Sequence, residues 1–204
     1  MRTITQDTFD TFQRGDSILV LSPTFSETEP ATCGDLLFHD SDDERHVLCV
    51  TFTRSPEDHL INWRRHGTLP NHAAFVAVDA SARSNEARTP EREYEGPEDV
   101  EVTVDRISSP ENLTRLGVRT TNRLESLTDA VADRQINVCF DSVTSLLQYV
   151  DTDQAFRFLH VLTDQLEEAG ACTHFHMDPG AHDDETIQTL QTVFDGVYEF
   201  EDGE

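Results

Sequence analysis

The stretch Ile18–Leu37, ILVLSPTFSETEPATCGDLL, reads as a buried strand, a turn and then a helix. Gly15-Asp16 turns into Ser17–Leu21, a continuous apolar run of strand length. Runs of this kind suit strands covered on both faces. Ser22–Pro30 is turn-like, and Pro30–Phe38 is expected to form a short helix with Leu36 and Leu37 turned inward. A strand passing at once into a helix opens an α/β unit, so the chain beyond it is searched for further strand–helix pairs.

Those pairs recur. His46–Phe52 (HVLCVTF) is a second strand, Ala73–Val78 a third, and Val100–Val104 a short one. Ile136–Phe140 (INVCF), Ala171–Met177 and Gly196–Phe200 follow. Between them lie helix signals. Ser55 reads as an N-cap with Pro56 in the first turn and Glu57 and Asp58 against the positive dipole end. That helix carries Leu60, Ile61 and Trp63 and is expected to stop near Gly67. Ser109-Pro110-Glu111 starts a helical turn that Gly117 is expected to interrupt, before a helix over Thr120–Asp133 with Leu124, Leu127 and Val131 on one stripe. Asp151 caps a helix that places Ala155, Leu159, Leu162 and Leu166 inward and ends at Gly170. Asp183–Phe194 is the last helix. Met1–Asp16, polar with Phe9 and Phe12, is expected to add a short edge helix, and Ser81–Asp99, rich in Arg, Glu, Ser and Pro, a mobile loop.

The alternation predicts one α/β domain with a mainly parallel sheet and helices on both faces. It spans residues 17–200, with an N-terminal extension at 1–16 and an acidic tail at 201–204. Ligands of such sheets sit at the carboxyl ends of the strands.

Charge narrows the function classes. The 204 residues include 40 acidic and 15 basic side chains, a net charge of −25; every basic one is arginine. The acids are spread along the chain, as at Ser41–Glu44, Asp151–Asp153, Asp183–Glu185 and Glu199–Glu204. Spread of this kind fits a whole surface adapted to salt better than one basic partner, because the Debye length falls to ~3 Å at 1 M salt and the carboxylates stop repelling one another. A nucleic-acid partner is not expected, since it needs a basic face. No apolar run is long enough to cross a bilayer and no basic-then-apolar leader opens the chain, so a soluble, cytoplasmic protein is expected and no membrane partner.

Cys33, Cys49, Cys139 and Cys172 have no CxxC spacing and are expected to be small buried hydrophobes in a reducing compartment. His174 and His176 alternate on one strand face, a spacing seen in metal sites, and Asp178, His182, Asp183 and Asp184 follow closely. They make His174 and His176 weak candidates for a divalent ion at the carboxyl edge of the sheet. The competing reading is a strand end, a turn at Asp178-Pro179-Gly180 and a solvated helix start.

From Gly15 to Phe200 the order of parts resembles the RecA/KaiC-like P-loop ATPase family. INVCFDSVTSLLQYV is similar to the family's apolar strand ending in Asp-Ser and the turn after it. The helix Thr152–Ala169, the strand ACTHFHM and the closing FDGVYEF continue the pattern; HVLCVTF resembles its second strand and SILVLSP its phosphate-loop strand. The acidic, lysine-free composition agrees with the shortened KaiC-like proteins of halophilic archaea. The resemblance implies a RecA-like P-loop NTPase fold, a phosphate site at Ser22–Glu29 and a magnesium-orienting role at Asp141, against the reading that Asp141-Ser142 ends a strand and caps the next helix.

The departures from that family carry the functional expectation. A working phosphate loop reads GxxxxGK[ST]: glycines let backbone N–H groups wrap the phosphates, lysine reaches the terminal phosphates and the hydroxyl holds Mg²⁺. Aligned on Pro23, this chain has Pro23 and Thr24 at the second and third loop positions, Thr28 at the lysine and Glu29 at the hydroxyl position, with neither glycine. No shift of alignment supplies a lysine that the chain lacks. Thr53-Arg54 stands where the family's catalytic acid lies past the second strand. Pro23, Thr24, Thr28, Glu29, Arg54, Asp141 and Ser142 are therefore expected to be vestigial nucleotide-site positions, with no catalytic residue among them. The expected function is a non-hydrolysing regulatory or protein-interaction module working through a protein partner or homo- or hetero-oligomer, without a cofactor. The alternative is an ATP-binding protein or ATPase with a noncanonical phosphate loop, which alone would bring ATP and Mg²⁺.

Overall fold

The computed structural model describes residues 2–4, 12–23, 29–38, 45–66, 68–78, 97, 100–131 and 134–199. It is a single α/β domain built on one parallel sheet of eight strands. In chain order these are β1 (Arg2–Ile4), β2 (Ser17–Leu21), β3 (His46–Thr51), β4 (His72–Val78), β5 (Glu101–Ile107), β6 (Ile136–Asp141), β7 (Cys172–Met177) and β8 (Gly196–Glu199). Across the sheet the order is β1-β8-β2-β7-β6-β3-β4-β5. The helices are α1 (Glu29–Leu37), α2 (Pro56–Arg65), α3 (Leu113–Val131), α4 (Val143–Leu146), α5 (Thr152–Glu168) and α6 (Asp184–Gln191).

Strand order fixes where the helices go. From β2 the chain steps to β3 and β4 in one direction, and from β5 it returns through β6 and β7 to β8 in the other. Right-handed crossovers then place the two sets of helices on opposite faces. Leu48, Val138, Phe140 and Phe175 pack beneath Leu116 and Leu124 of α3 and Leu159 and Leu162 of α5. On the other face Cys49, Phe75 and Cys139 pack beneath Cys33 and Leu37 of α1 and Leu60 and Trp63 of α2. With both faces covered, β2, β3, β6 and β7 are buried along their whole length, which is why they read as continuous apolar runs. The edge strand β5 is half-exposed, and its Asp105 accepts two hydrogen bonds from the Arg123 guanidinium at 2.9 and 2.7 Å. Charge of this kind blunts an unpaired edge.

The local helix signals are realised. Ser55 caps α2 reciprocally with Asp58. Asp151 caps α5 with Gln154, and Gly170 follows that helix at φ +68°, a conformation glycine adopts without a Cβ clash.

One expectation is corrected. Gly117 does not interrupt a helix: α3 runs unbroken from Leu113 to Val131. A methyl at that position would meet the ring edge of Phe158 of α5 at an ordinary contact distance of 3.5 Å. The extension also contains a strand that the sequence did not show: Arg2, Thr3 and Ile4 pair in parallel with Gly196, Val197 and Tyr198, so part of 1–16 belongs to the sheet, while the helix expected around Phe9 falls at 5–11, outside the described residues. Phe9, most of Ser81–Asp99 and the 201–204 tail lie outside the described residues.

Candidate functional site

β6 and β3 are neighbours in the sheet, yet their chains leave toward opposite faces, β6 into α4 and β3 into α2. A crevice at the carboxyl ends of such a pair is where ligands of open α/β sheets bind. Here Thr51 and Asp141 are register partners, and Phe52 N–H donates to the Asp141 carbonyl at 2.9 Å. Side chains from both strand ends and from α2 converge there. The Arg54 guanidinium lies 3.8 Å from Asp141 Oδ2 and His59 Nε2 lies 3.6 Å from the same oxygen. Thr51 Oγ1 donates to the Arg54 carbonyl at 2.7 Å, so toward His59 Nε2, at 3.2 Å, it is left to accept. That assigns the proton of His59 to Nε2, facing both Thr51 and the Asp141 carboxylate.

The other positions drawn from the nucleotide pattern fall into three groups. Ser142 caps α4, its Oγ accepting from Ser145 N–H at 3.1 Å, and the peptide joining it to Asp141 is cis. Pro23 is exposed on the wall of an open cleft of about 380 Å³, shared with Leu21, Pro179, Asp184 and Glu199. No cationic side chain lines that cleft among the described residues. Glu29 opens α1, while Thr24 and Thr28 lie outside the described residues. The structure thus brings Arg54 and Asp141 together and leaves Pro23 on a separate cleft.

A second constellation lies on the same face, one step back along the strands. Cys139 stands two residues before Asp141 and is the register partner of His174, and His176 follows on the same face of β7. α1, crossing from β2 to β3, hangs Cys33 over them. Cys33 Sγ lies 3.9 Å from Cys139 Sγ and 3.4 Å from His174 Nε2. One donor atom from each of Cys33, Cys139, His174 and His176 falls within 4.8 Å of the other three. All four residues are at most 4% exposed, so the group is internal and not at the carboxyl edge, where the sequence placed a metal candidate.

The thiols of this group are held protonated when no ion is bound. Cys33 is pushed well above the ordinary thiol value by its hydrogen bond with Cys139 and then by burial, which nearby His176 only partly offsets. For Cys139 the contact with Cys33 acts downward, but the contact with Cys49 and burial outweigh it and the thiol is raised well above its ordinary value. Burial raises Cys49, whose Sγ lies 3.7 Å from His59 Nε2. Protonated, enclosed thiols are poor nucleophiles, whereas two thiols and two imidazoles this close together are donors of the kind that can hold a metal ion.

The rest of the histidine–aspartate cluster is elsewhere. Asp178 Oδ1 accepts from Gly180 N–H, Asp183 caps α6, and His182 Nε2 lies 3.1 Å from Thr144 Oγ1. The strand-end, turn and helix-start reading holds for those residues. What the sequence missed was Cys33 and Cys139, 141 and 106 residues in sequence from His174 and Cys33 respectively; only the His174–His176 alternation was a local signal.

No helix among the described residues is long and apolar enough to cross a membrane. Among solved structures the chain is similar to the one titled "Structural study of Project ID PH0250 from Pyrococcus horikoshii OT3": 9% identity, 99% of this chain and 89% of that one covered, TM-score 0.60. At that identity the likeness concerns the fold alone. No curated protein matches. The profile described as "Family of unknown function (DUF7504)" matches residues 15–200, nearly the whole chain, and the protein belongs to that family.

Proposed function

We propose that this chain is a non-hydrolysing RecA/KaiC-like domain that serves as a regulatory or protein-interaction module in a halophilic archaeon. One observation carries the reading. The Asp141 carboxylate, which in a working relative would orient Mg²⁺, is turned onto Arg54 and His59. A cation site needs a carboxylate whose charge is available, and a guanidinium at 3.8 Å, though too far to hydrogen-bond to Oδ2, offsets that charge and repels a second cation there. The same pairing engages Arg54, one of the arginines, with a neighbouring subunit's, through which a noncanonical ATPase would contact phosphate.

Three further features support it. The chain has no lysine for a phosphate loop. The cleft beside Pro23 is walled by Asp184 and Glu199, which disfavours a triphosphate. The surface charge of −25 fits a saline cytoplasm. The test is a turnover assay with Mg²⁺-ATP in molar KCl. No phosphate release above the protein-free rate is expected. Hydrolysis that disappears in Asp141→Ala would overturn the proposal and favour the ATPase alternative.

A further inference from the structure

We propose that Cys33, Cys139, His174 and His176 bind one Zn²⁺ ion in a closed tetrahedral site that fastens α1 to β6 and β7. This inference is independent of whether the chain binds nucleotide.

Geometry is the first argument. Zn–S bonds of about 2.3 Å and Zn–N bonds of about 2.0–2.1 Å, placed at tetrahedral angles, separate two sulfurs by about 3.8 Å and a sulfur from a nitrogen by about 3.5 Å. The sulfur–sulfur distance here is 3.9 Å and the Cys33–His174 distance 3.4 Å. The remaining donor pairs lie within 4.8 Å, so the ion draws them in by about 1.5 Å at most. The His174 and His176 rings stand edge to face at 84° with centroids 4.9 Å apart, which lets two residues of one strand offer nitrogens to a common point.

Chemistry is the second. Zn²⁺ takes the place of the two thiol protons: two Zn–S and two Zn–N bonds form, two S–H bonds break, and two H⁺ leave to solvent. Two thiolates balance the charge of the ion, so the bound site is neutral, which a dry interior tolerates. Two sulfurs and two imidazole nitrogens form a borderline-soft set that suits Zn²⁺ and not Mg²⁺ or Ca²⁺. With every ligand at most 4% exposed, no position opens to water, which is the arrangement of a structural ion.

Topology gives the consequence. α1 is the crossover from β2 to β3 and passes over β7 and β6 on the way. Cys33 is its one donor to the group. The ion therefore ties α1 to two central strands.

The experiment uses the full chain, expressed without a histidine tag and purified in molar KCl without chelator. Elemental analysis should give one zinc per chain. Protein stripped of metal and titrated with Co²⁺ should show the intense visible bands of a tetrahedral ion with thiolate-to-cobalt charge transfer, saturating at one equivalent and displaced by Zn²⁺. Cys139→Ser and His176→Asn should lose the stoichiometric ion; Cys49→Ala and Cys172→Ala should keep it. Because a ligand variant can fail to fold, the wild-type cobalt titration stands alone as a readout. Folded wild-type protein that takes up no Zn²⁺ or Co²⁺, gives only the pale spectrum of an octahedral ion, or carries a Cys33–Cys139 disulfide by mass spectrometry would overturn the proposal.

Discussion

Arg54 Nη1 and Asp141 Oδ2 face each other at 3.8 Å across the carboxyl ends of β3 and β6. Asp141 is the more enclosed partner, with a side chain 10% exposed against 29% for Arg54. Removing the arginine leaves that carboxylate with His59 alone among the cationic-capable groups described beside it. A buried charge stripped of its partner costs ~3–5 kcal/mol, an exposed pair under ~1. For this half-exposed pair Arg54→Ala is expected to cost about 1–2 kcal/mol. A urea titration checks it, and the loss should persist in high salt, since screening acts less on an enclosed carboxylate. An unchanged or raised midpoint would mean that the pair does not hold Asp141.

Gly117 lies inside α3 with room for a methyl group against Phe158 at an ordinary contact distance of 3.5 Å. Alanine is favoured over glycine in a helix interior by ~0.8–1.0 kcal/mol. Gly117→Ala should therefore stabilise the domain by about 0.5–1 kcal/mol, read as a higher thermal midpoint. A lower midpoint would show that α3 needs a break at this position.

The cap of α2 predicts a pH dependence. Asp58 Oδ2 accepts from both Ser55 N–H and Ser55 Oγ–H, and these bonds, the side-chain one first, hold its carboxyl below the usual aspartate range. A carboxyl lowered in the folded state adds stability that is present above its unfolded value and disappears as pH falls through the folded value. Asp58→Asn should thus be less stable than wild type near neutral pH. The gap should close as pH falls below about 4. Thermal midpoints of both proteins across that range test it; a gap that stays constant would remove the ionised cap from the account.

Much of this fold was legible because its signals are local. The apolar runs at Ser17–Leu21 and Ile136–Phe140, the caps at Ser55 and Asp151 and the stop at Gly170 each depend on neighbours a few residues away. Gly117 misled because helix propensity is a weak preference, and the packing of Leu116, Leu124 and Leu127 into the core carries α3 unbroken through it. β1 was illegible because a three-residue strand has no periodicity, and its partner β8 comes from the far end of the chain. The Arg54–Asp141 pair required the register of β3 on β6. The cysteine–histidine group required more still: a strand alternation showed two histidines, but Cys33 and Cys139 join them only once α1 crosses over β6 and β7.

The central claim, that the nucleotide machinery has been lost, is tested most directly by equilibrium binding of Mg²⁺-ATP to the full chain in molar KCl, followed by calorimetry and thermal shift together. A site loaded to about 100 times its Kd would stabilise the fold by about 2.7 kcal/mol, a rise of roughly 5–10 °C for a domain of this size. The account predicts no saturable heat and no such rise. Saturable binding near one equivalent, weakened in Asp141→Ala, would contradict it.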